Sequence, residues 1–208
     1  MYIAFEGGEG SGKSCVIKYV ASTLITKGYK VLTIREPGGT EVGSAIRDIL
    51  LNKINLKISG ATETLLFFAA RAQLILDVVK PSLERDEIVL TDRCYLSSYA
   101  YQGYGRGMDL HDLDILTNIS IGKNRPDLVI LLNVEPKLGL SRKHNQNETN
   151  RLELEAVEFH ERVRQGYLNM AKQDSKKWSV IDSSQPIEEV QNQILSIIMK
   201  SLNKSKRQ

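Results

Sequence analysis

The segment FEGGEGSGKS, residues 5–14, constrains this chain more than any other. Gly7, Gly12, Lys13 and Ser14 fit the spacing G-x-x-x-x-G-K-[ST] of a phosphate-binding loop. The apolar run before it predicts a buried strand at 2–6, and the residues after it predict a helix over 13–26. Strand, glycine loop and helix in this order are the context such a loop needs. The glycines let the backbone curl until its N–H groups converge, and the helix adds its positive end to the same spot. Lys13 can then reach the outer phosphates of a nucleotide, and the Ser14 hydroxyl suits a magnesium ion. Gly7, Gly8, Glu9, Gly10, Ser11, Gly12, Lys13 and Ser14 are the expected nucleotide contacts, with Cys15 as a wall of the same site.

Further strands are predicted at 30–34, 87–92, 126–134 and 178–182. Helices are predicted at 41–51, 61–80, 96–101, 109–120, 157–172 and 186–201, with Leu65, Phe68, Ala69 and Ala72 as a buried stripe of the second long one. The alternation predicts an α/β P-loop fold of three layers: a five-stranded parallel sheet with helices on both faces. A length of 208 residues suits one domain over 1–208. The polar, Asn-rich stretch SRKHNQNETN, 141–150, interrupts a helical region and reads as a mobile flap within a lid at about 139–152.

Composition narrows the setting. The chain has no run of 18 apolar residues to span a membrane, and a strand at residue 2 leaves no room for a signal peptide. Cys15 and Cys94 lack metal-site spacing and point to a reducing compartment, the cytoplasm. A net charge of +3, from 28 basic against 25 acidic residues, makes no case for nucleic acid. The basic tail KSLNKSKRQ reads as a solvated end.

Open parallel sheets bind ligands beyond the carboxyl ends of their strands. There this sequence puts Glu6, Arg35, Asp92 and Arg93, with Arg47 and Arg71 on intervening helices. Arginine forks match phosphate oxygens in pairs. A second, arginine-lined phosphate site beside the loop implies a phosphorylated acceptor. That favours a nucleoside monophosphate kinase over a GTP-binding switch, whose N-K-x-D segment is missing (NKIN at 52–55 lacks the Asp).

Beyond the loop, the stretches REPGG, LLFFAAR, TDRCYLSSYAYQGYGRG, PDLVILLNV, NRLE and SSQP follow in order along the chain. Through them the sequence resembles the thymidylate kinase family of P-loop nucleoside monophosphate kinases. The resemblance implies phosphorylation of dTMP to dTDP by ATP with Mg2+, a step toward dTTP, in a cytoplasmic homodimer with a five-stranded core and a short lid. It also implies roles for residues. Arg35 bridges acceptor phosphate and donor, and Arg93 is a second arginine on the acceptor phosphate, with Arg47 nearby. Phe67 stacks on thymine and Phe68 takes the core role. Arg71 bonds the thymine ring, while Ser98 and Gln102 line the base. Glu9 lies near the sugar 3′-hydroxyl, Asp92 organises magnesium or its water shell, and Gln185 in SSQP passes the adenine. The variable loop positions Gly8, Glu9, Gly10 and Ser11 are not basic, and in this the chain resembles the family form with a lid arginine, here Arg142 or Arg151, with Lys143 beside the first. Two relatives of this reaction stay open, a deoxynucleoside kinase and a broader pyrimidine deoxynucleoside monophosphate kinase.

Overall fold

The structure, a computed structural model, describes residues 1–52, 56–144 and 151–205. Five strands form one parallel sheet: β1 (Tyr2–Glu6), β2 (Val31–Arg35), β3 (Ile88–Asp92), β4 (Leu128–Asn133) and β5 (Trp178–Asp182). Their order is β2-β3-β1-β4-β5, so the earliest strand is the central one. Register sets the carboxyl ends side by side. Phe5 and Arg35 both pair with Asp92, Glu6 pairs with Leu131, and Asn133 pairs with Asp182.

Strand alternation divides the core into faces. Ile3 and Phe5 of β1, with Leu90, Ile130 and Leu132, pack under α1 (Lys13–Thr26) and α9 (Ile187–Ser205), which bring Val16, Val20, Leu24, Ile194 and Ile198. On the opposite face Ala4, Val129 and Leu131 meet α8 (Val157–Gln173) through Phe159, Val163 and Tyr167. Beside them Tyr2 and Val89 meet Leu74, Ile75 and Val79. The expected three layers are therefore present.

Several helices differ in detail from their sequence patterns. The helix expected at 41–51 is α2 (Glu41–Arg47) followed by a π turn at Asp48–Asn52. The one expected at 61–80 runs as α3 (Gly60–Leu74), a π turn at Ile75–Val79 and α4 (Lys80–Glu84). After β3, α5 (Tyr95–Ser98) widens into a π segment at Tyr99–Gly105, and α6 (Leu110–Ser120) follows. The stripe expected on α3 is rotated. Leu65 is 57% exposed and Ala69 is exposed, whereas Glu63, Thr64, Phe67, Phe68, Arg71 and Leu74 are buried. Apolar periodicity misplaces this face because two of its buried members, Glu63 and Arg71, are charged and held by partners. Residues 141–144 close α7 (Pro136–His144), while 145–150 of the expected flap lie outside the described residues.

Candidate active site

The phosphate loop is built as its sequence demands. Gly12 has φ 89°, a left-handed conformation that lets α1 start at Lys13 without a side-chain cap. The first helical bond runs from the Val16 N–H to the Gly12 carbonyl, so the amides of residues 13–15 precede the ladder and are left for an anion. Lys13 Nζ donates to Gly7 O at 3.0 Å, Gly8 O at 2.9 Å and Ser11 Oγ at 3.2 Å. Burial, and then the charge of Arg93, pull its ammonium down to about 8. Ser14 Oγ donates to Asp92 Oδ2 at 3.1 Å.

The loop opens into a cleft of about 650 Å3 above the carboxyl ends of the strands. Its walls carry Glu9 to Cys15, Arg35, Arg47, Phe67, Asp92, Arg93, Ser98, Gln102, Arg142, Lys143 and Gln185. Nearly every residue singled out in the sequence thus meets in one place. Arg93 adopts φ 74°, unusual for a residue with a side chain. That turn sends its guanidinium back over the loop, where Nη2 meets Glu9 Oε1 at 2.7 Å and Nη1 meets Gly7 O at 3.1 Å. Tyr101 OH also donates to Glu9 Oε1, at 2.8 Å. Burial pushes the Glu9 carboxyl up, but Arg93, Lys13 and the Tyr101 bond outweigh it and hold it below the ordinary range. Arg47 Nη1 donates to Pro37 O at 2.8 Å; burial, then repulsion from Arg35, lowers its guanidinium to about 10.

At the other end Phe67 faces the cleft from α3, whereas Phe68 lies beneath, 3% exposed, with the Arg71 guanidinium 4.8 Å from its ring centre. Arg71 is not itself on the cleft wall. Its Nε donates to Glu36 Oε2 at 2.6 Å, Nη1 to Ser98 Oγ at 3.1 Å and Nη2 to Cys94 O at 3.3 Å, and Glu36 and Ser98 both line the cleft. Cys15 is exposed and lines the cleft, and Cys94 is buried.

The two flap arginines part company. Arg142 Nη1 donates to Ser183 O at 2.9 Å, which holds it on the cleft wall that also carries Gln185. Arg151 is off the cleft wall: its guanidinium bonds Glu63 and, through Nε at 3.0 Å, the Leu50 carbonyl.

Sequence reasoning put Glu6 at a strand end without its partners and passed over other members altogether. Buried Glu6 accepts from Cys94 N at 2.9 Å, Ser97 Oγ at 2.7 Å and Tyr167 OH at 2.7 Å, tying the strand end to α5 and α8. Glu36 stands inside the REPGG stretch, where only its neighbour drew notice. Gly139 of α7 lies flush on the loop, and a Cβ there would come within 2.2 Å of Glu9 O. A glycine within a helix was the signal for it.

Similarity to known proteins agrees with this geometry. A family model described as thymidylate kinase matches residues 5–194. Over 207 residues the chain is 40% identical to "Thymidylate kinase" of Bacillus pumilus, covering 99% of this chain and 98% of the relative. It is 41% identical over 211 residues to "Thymidylate kinase" of Roseiflexus castenholzii, with 95% and 92% covered. The crystal structure of thymidylate kinase from Ehrlichia chaffeensis superposes with a TM-score of 0.79 at 29% identity, covering 96% and 98%. A match of this extent, on a chain whose cleft joins a phosphate loop to an arginine-rich pocket, leaves one conclusion: the chain belongs to the thymidylate kinase family.

Proposed function

We propose that this protein transfers the γ-phosphoryl group of ATP to dTMP, yielding dTDP and ADP. One observation carries the reading. Lys13, Arg35, Arg47 and Arg93 converge on a single cleft whose far end carries Phe67, Ser98 and Gln102. Burial and then Arg35 depress Arg47, and burial and then Arg93 depress Lys13, so both cations would gain from added negative charge. Two phosphate groups, one from each substrate, would supply it.

The donor enters over the loop, with its adenine toward Gln185 and its phosphates on the amides of residues 13–15 and Lys13. The acceptor lies with its phosphate among Arg35, Arg47 and Arg93 and its base on Phe67. Ser14 and Asp92, a hydroxyl and a carboxylate 3.1 Å apart, are hard oxygen donors of the kind Mg2+ takes alongside nucleotide phosphates. The ion, when bound, would neutralise charge on the phosphates. Among the described residues there is no cluster of three His, Cys, Asp or Glu side chains that could hold a metal alone, which fits an ion carried largely by its nucleotide.

The chain's own residues align an oxygen of the acceptor phosphate with the γ phosphorus and offset the charge spread over the transferring group. A monophosphate is already largely ionised near neutrality, with a second pKa of about 6, so no general base is needed. The carboxylates lining the cleft are engaged accordingly: Glu9 with Arg93, Glu36 with Arg71, Asp92 with Ser14 and Glu153 with Lys143. A deoxynucleoside kinase would need one of them as base, which disfavours that reading. Arg142 supplies the flap cation on the donor side. Arg151, held on Glu63, would have to leave it to share that role.

The enzyme acts as a homodimer in the cytoplasm. Leu65 of α3 and Ile115 and Ile119 of α6 are 57%, 46% and 78% exposed, and a shallow groove lined by Ala61, Leu65, Met108 and Ile115 runs between the two helices. A second copy is the occupant that the family resemblance implies. No helix among the described residues is long and apolar enough to cross a membrane.

The test offers ATP and Mg2+ with dTMP, dUMP, dCMP or thymidine and resolves the products by chromatography. ADP and dTDP should form together from dTMP, and thymidine should remain untouched. Turnover of thymidine but not dTMP would overturn the proposal; comparable turnover of dUMP would widen it to a pyrimidine deoxynucleoside monophosphate kinase.

A further inference from the structure

Glu63 is absent from the cleft wall, yet it is one of the most heavily bonded carboxylates of the molecule. It sits on α3 one turn before Phe67, 1% exposed. Arg106 grips it with Nε at 2.7 Å to one oxygen and Nη2 at 3.0 Å to the other, and Arg151 bonds the second oxygen as well. The remaining donor is the Gln102 amide, whose Nε2 lies 2.8 Å from Glu63 Oε1. Burial pushes this carboxyl up, but the bonds from Arg106, Gln102 and Arg151 outweigh it, so it stays ionised.

An ionised carboxylate accepts hydrogen bonds and donates none. Only the NH2 end of Gln102 can therefore face it, because the opposite orientation would set oxygen against oxygen. The amide's direction follows from the chemistry of its neighbour, not from atom naming. Gln102 lines the cleft beside Phe67 and Ser98, so its Oε1 is the group left to meet a ligand there. A fixed carbonyl oxygen welcomes a donor. Thymine and uracil carry a proton on N3; cytosine presents a lone pair at that atom.

We propose that Glu63 is a positioning residue that fixes the Gln102 amide and thereby selects 4-oxo over 4-amino pyrimidine monophosphates. The inference rests on the acceptor base lying against Phe67 and Gln102, as read above. It explains why an ionic cluster is buried behind the face of α3 that carries Phe67. Strong discrimination is what a site gains when a mismatched ligand leaves its buried polar group unpaired.

The experiment compares kcat/KM for dTMP and for 5-methyl-dCMP, which differ only at the 4-position and N3, with ATP and Mg2+. In Glu63→Gln the replacement side chain can donate or accept, so the Gln102 amide is free to flip. The preference for dTMP should narrow at least tenfold, mainly through a higher KM for dTMP, while KM for ATP stays within twofold. Arg106→Lys loosens the two-pronged grip but keeps a cation beside the carboxylate, so its preference should stay within threefold of wild type. A Glu63→Gln preference within threefold of wild type overturns the inference, as does an equal narrowing in Arg106→Lys. Failure of the wild-type protein to phosphorylate dTMP overturns the functional reading instead, and this inference with it. If Glu63→Gln does not fold, the side-chain NH2 signal of Gln102 in 15N-labelled wild type, assigned by its loss in Gln102→Leu, decides. Slow exchange of one proton before and after adding dTMP supports the proposal; free exchange of both overturns it.

Discussion

Lys13 donates to three oxygens of its own loop. Its ammonium is held near 8 by burial and Arg93, below the value of about 10.4 it has in an unfolded chain. Between these values the unfolded state binds the extra proton, so the folded state gains stability as pH rises. Below about 8 both states are protonated and the cost of the buried cation is fully present. Melting of ligand-free wild type and Lys13→Met at pH 7 and near pH 10 should show wild type gaining on the variant at the higher pH. The same variant should keep its folded circular dichroism spectrum and lose at least about 2.7 kcal/mol of transition-state stabilisation, a hundredfold in turnover. Phe67 belongs to the other substrate. Stacking on a base is worth about 1 to 3 kcal/mol. Titration of each ligand alone should find Phe67→Ala binding dTMP about ten- to a hundredfold more weakly, with ATP nearly unchanged. Equal weakening of both would return Phe67 to a packing role. Lys13 was legible through its spaced motif, whereas Phe67 drew notice only through the family resemblance, since LLFFAA is apolar on several sides. Glu63 and Glu36 were not legible, nor were the partners of Glu6. A buried carboxylate is recognisable only by the donors around it, and those come from elements far away in sequence, as Tyr167 does for Glu6.

Among the elements, α7 joins the phosphate loop to the flap. Gly10 and Gly139 touch so closely that a Cβ on Gly10 would sit 1.9 Å from Gly139 O. Helix and loop therefore meet backbone to backbone, and α7 carries Arg142 toward Ser183 from that fixed base. Gly139→Ala should push the two apart at a cost of about 1 to 3 kcal/mol, the usual penalty of overpacking. The loss should appear in thermal melts and as weaker ATP binding, with dTMP binding less affected. A variant with unchanged melting and ATP affinity would show that the contact tolerates a methyl group. Arg142→Ala tests the side chain rather than the base. Its kcat should fall at least tenfold, about 1.4 kcal/mol, with smaller changes in the dissociation constants of both substrates. Normal turnover in a protein lacking both Arg142 and Arg151 would leave the transferring charge to Lys13 and Arg35. Element order was readable from hydrophobic runs, and all five strands fall where those runs stand. The π turns were not readable, since one extra residue per turn leaves no compositional mark. They matter here, because the segment Tyr99–Gly105 delivers both Tyr101 to Glu9 and Gln102 to Glu63.

For the molecule as a whole, the apolar face of α3 and α6 predicts association. Light scattering should give twice the mass of one chain at micromolar concentration. Leu65→Glu combined with Ile115→Glu should yield a folded monomer; a wild-type monomer, or a dimer indifferent to both changes, would place the interface elsewhere or nowhere. The sheet has a further consequence, for the newborn chain. β1 leaves the ribosome ahead of both its sheet neighbours, β3 and β4, with Ile3 paired to both Leu90 and Leu128. At a synthesis rate of about 5 to 20 residues per second, its second neighbour arrives roughly 6 to 25 s after it. For that interval the most buried strand of the protein, and the phosphate loop hanging from it, have no finished sheet to join. The nascent chain must carry an apolar segment unprotected until β4 emerges, so slowing translation upstream of residue 128 should raise the demand for chaperones, whereas slowing it downstream of β5 should not.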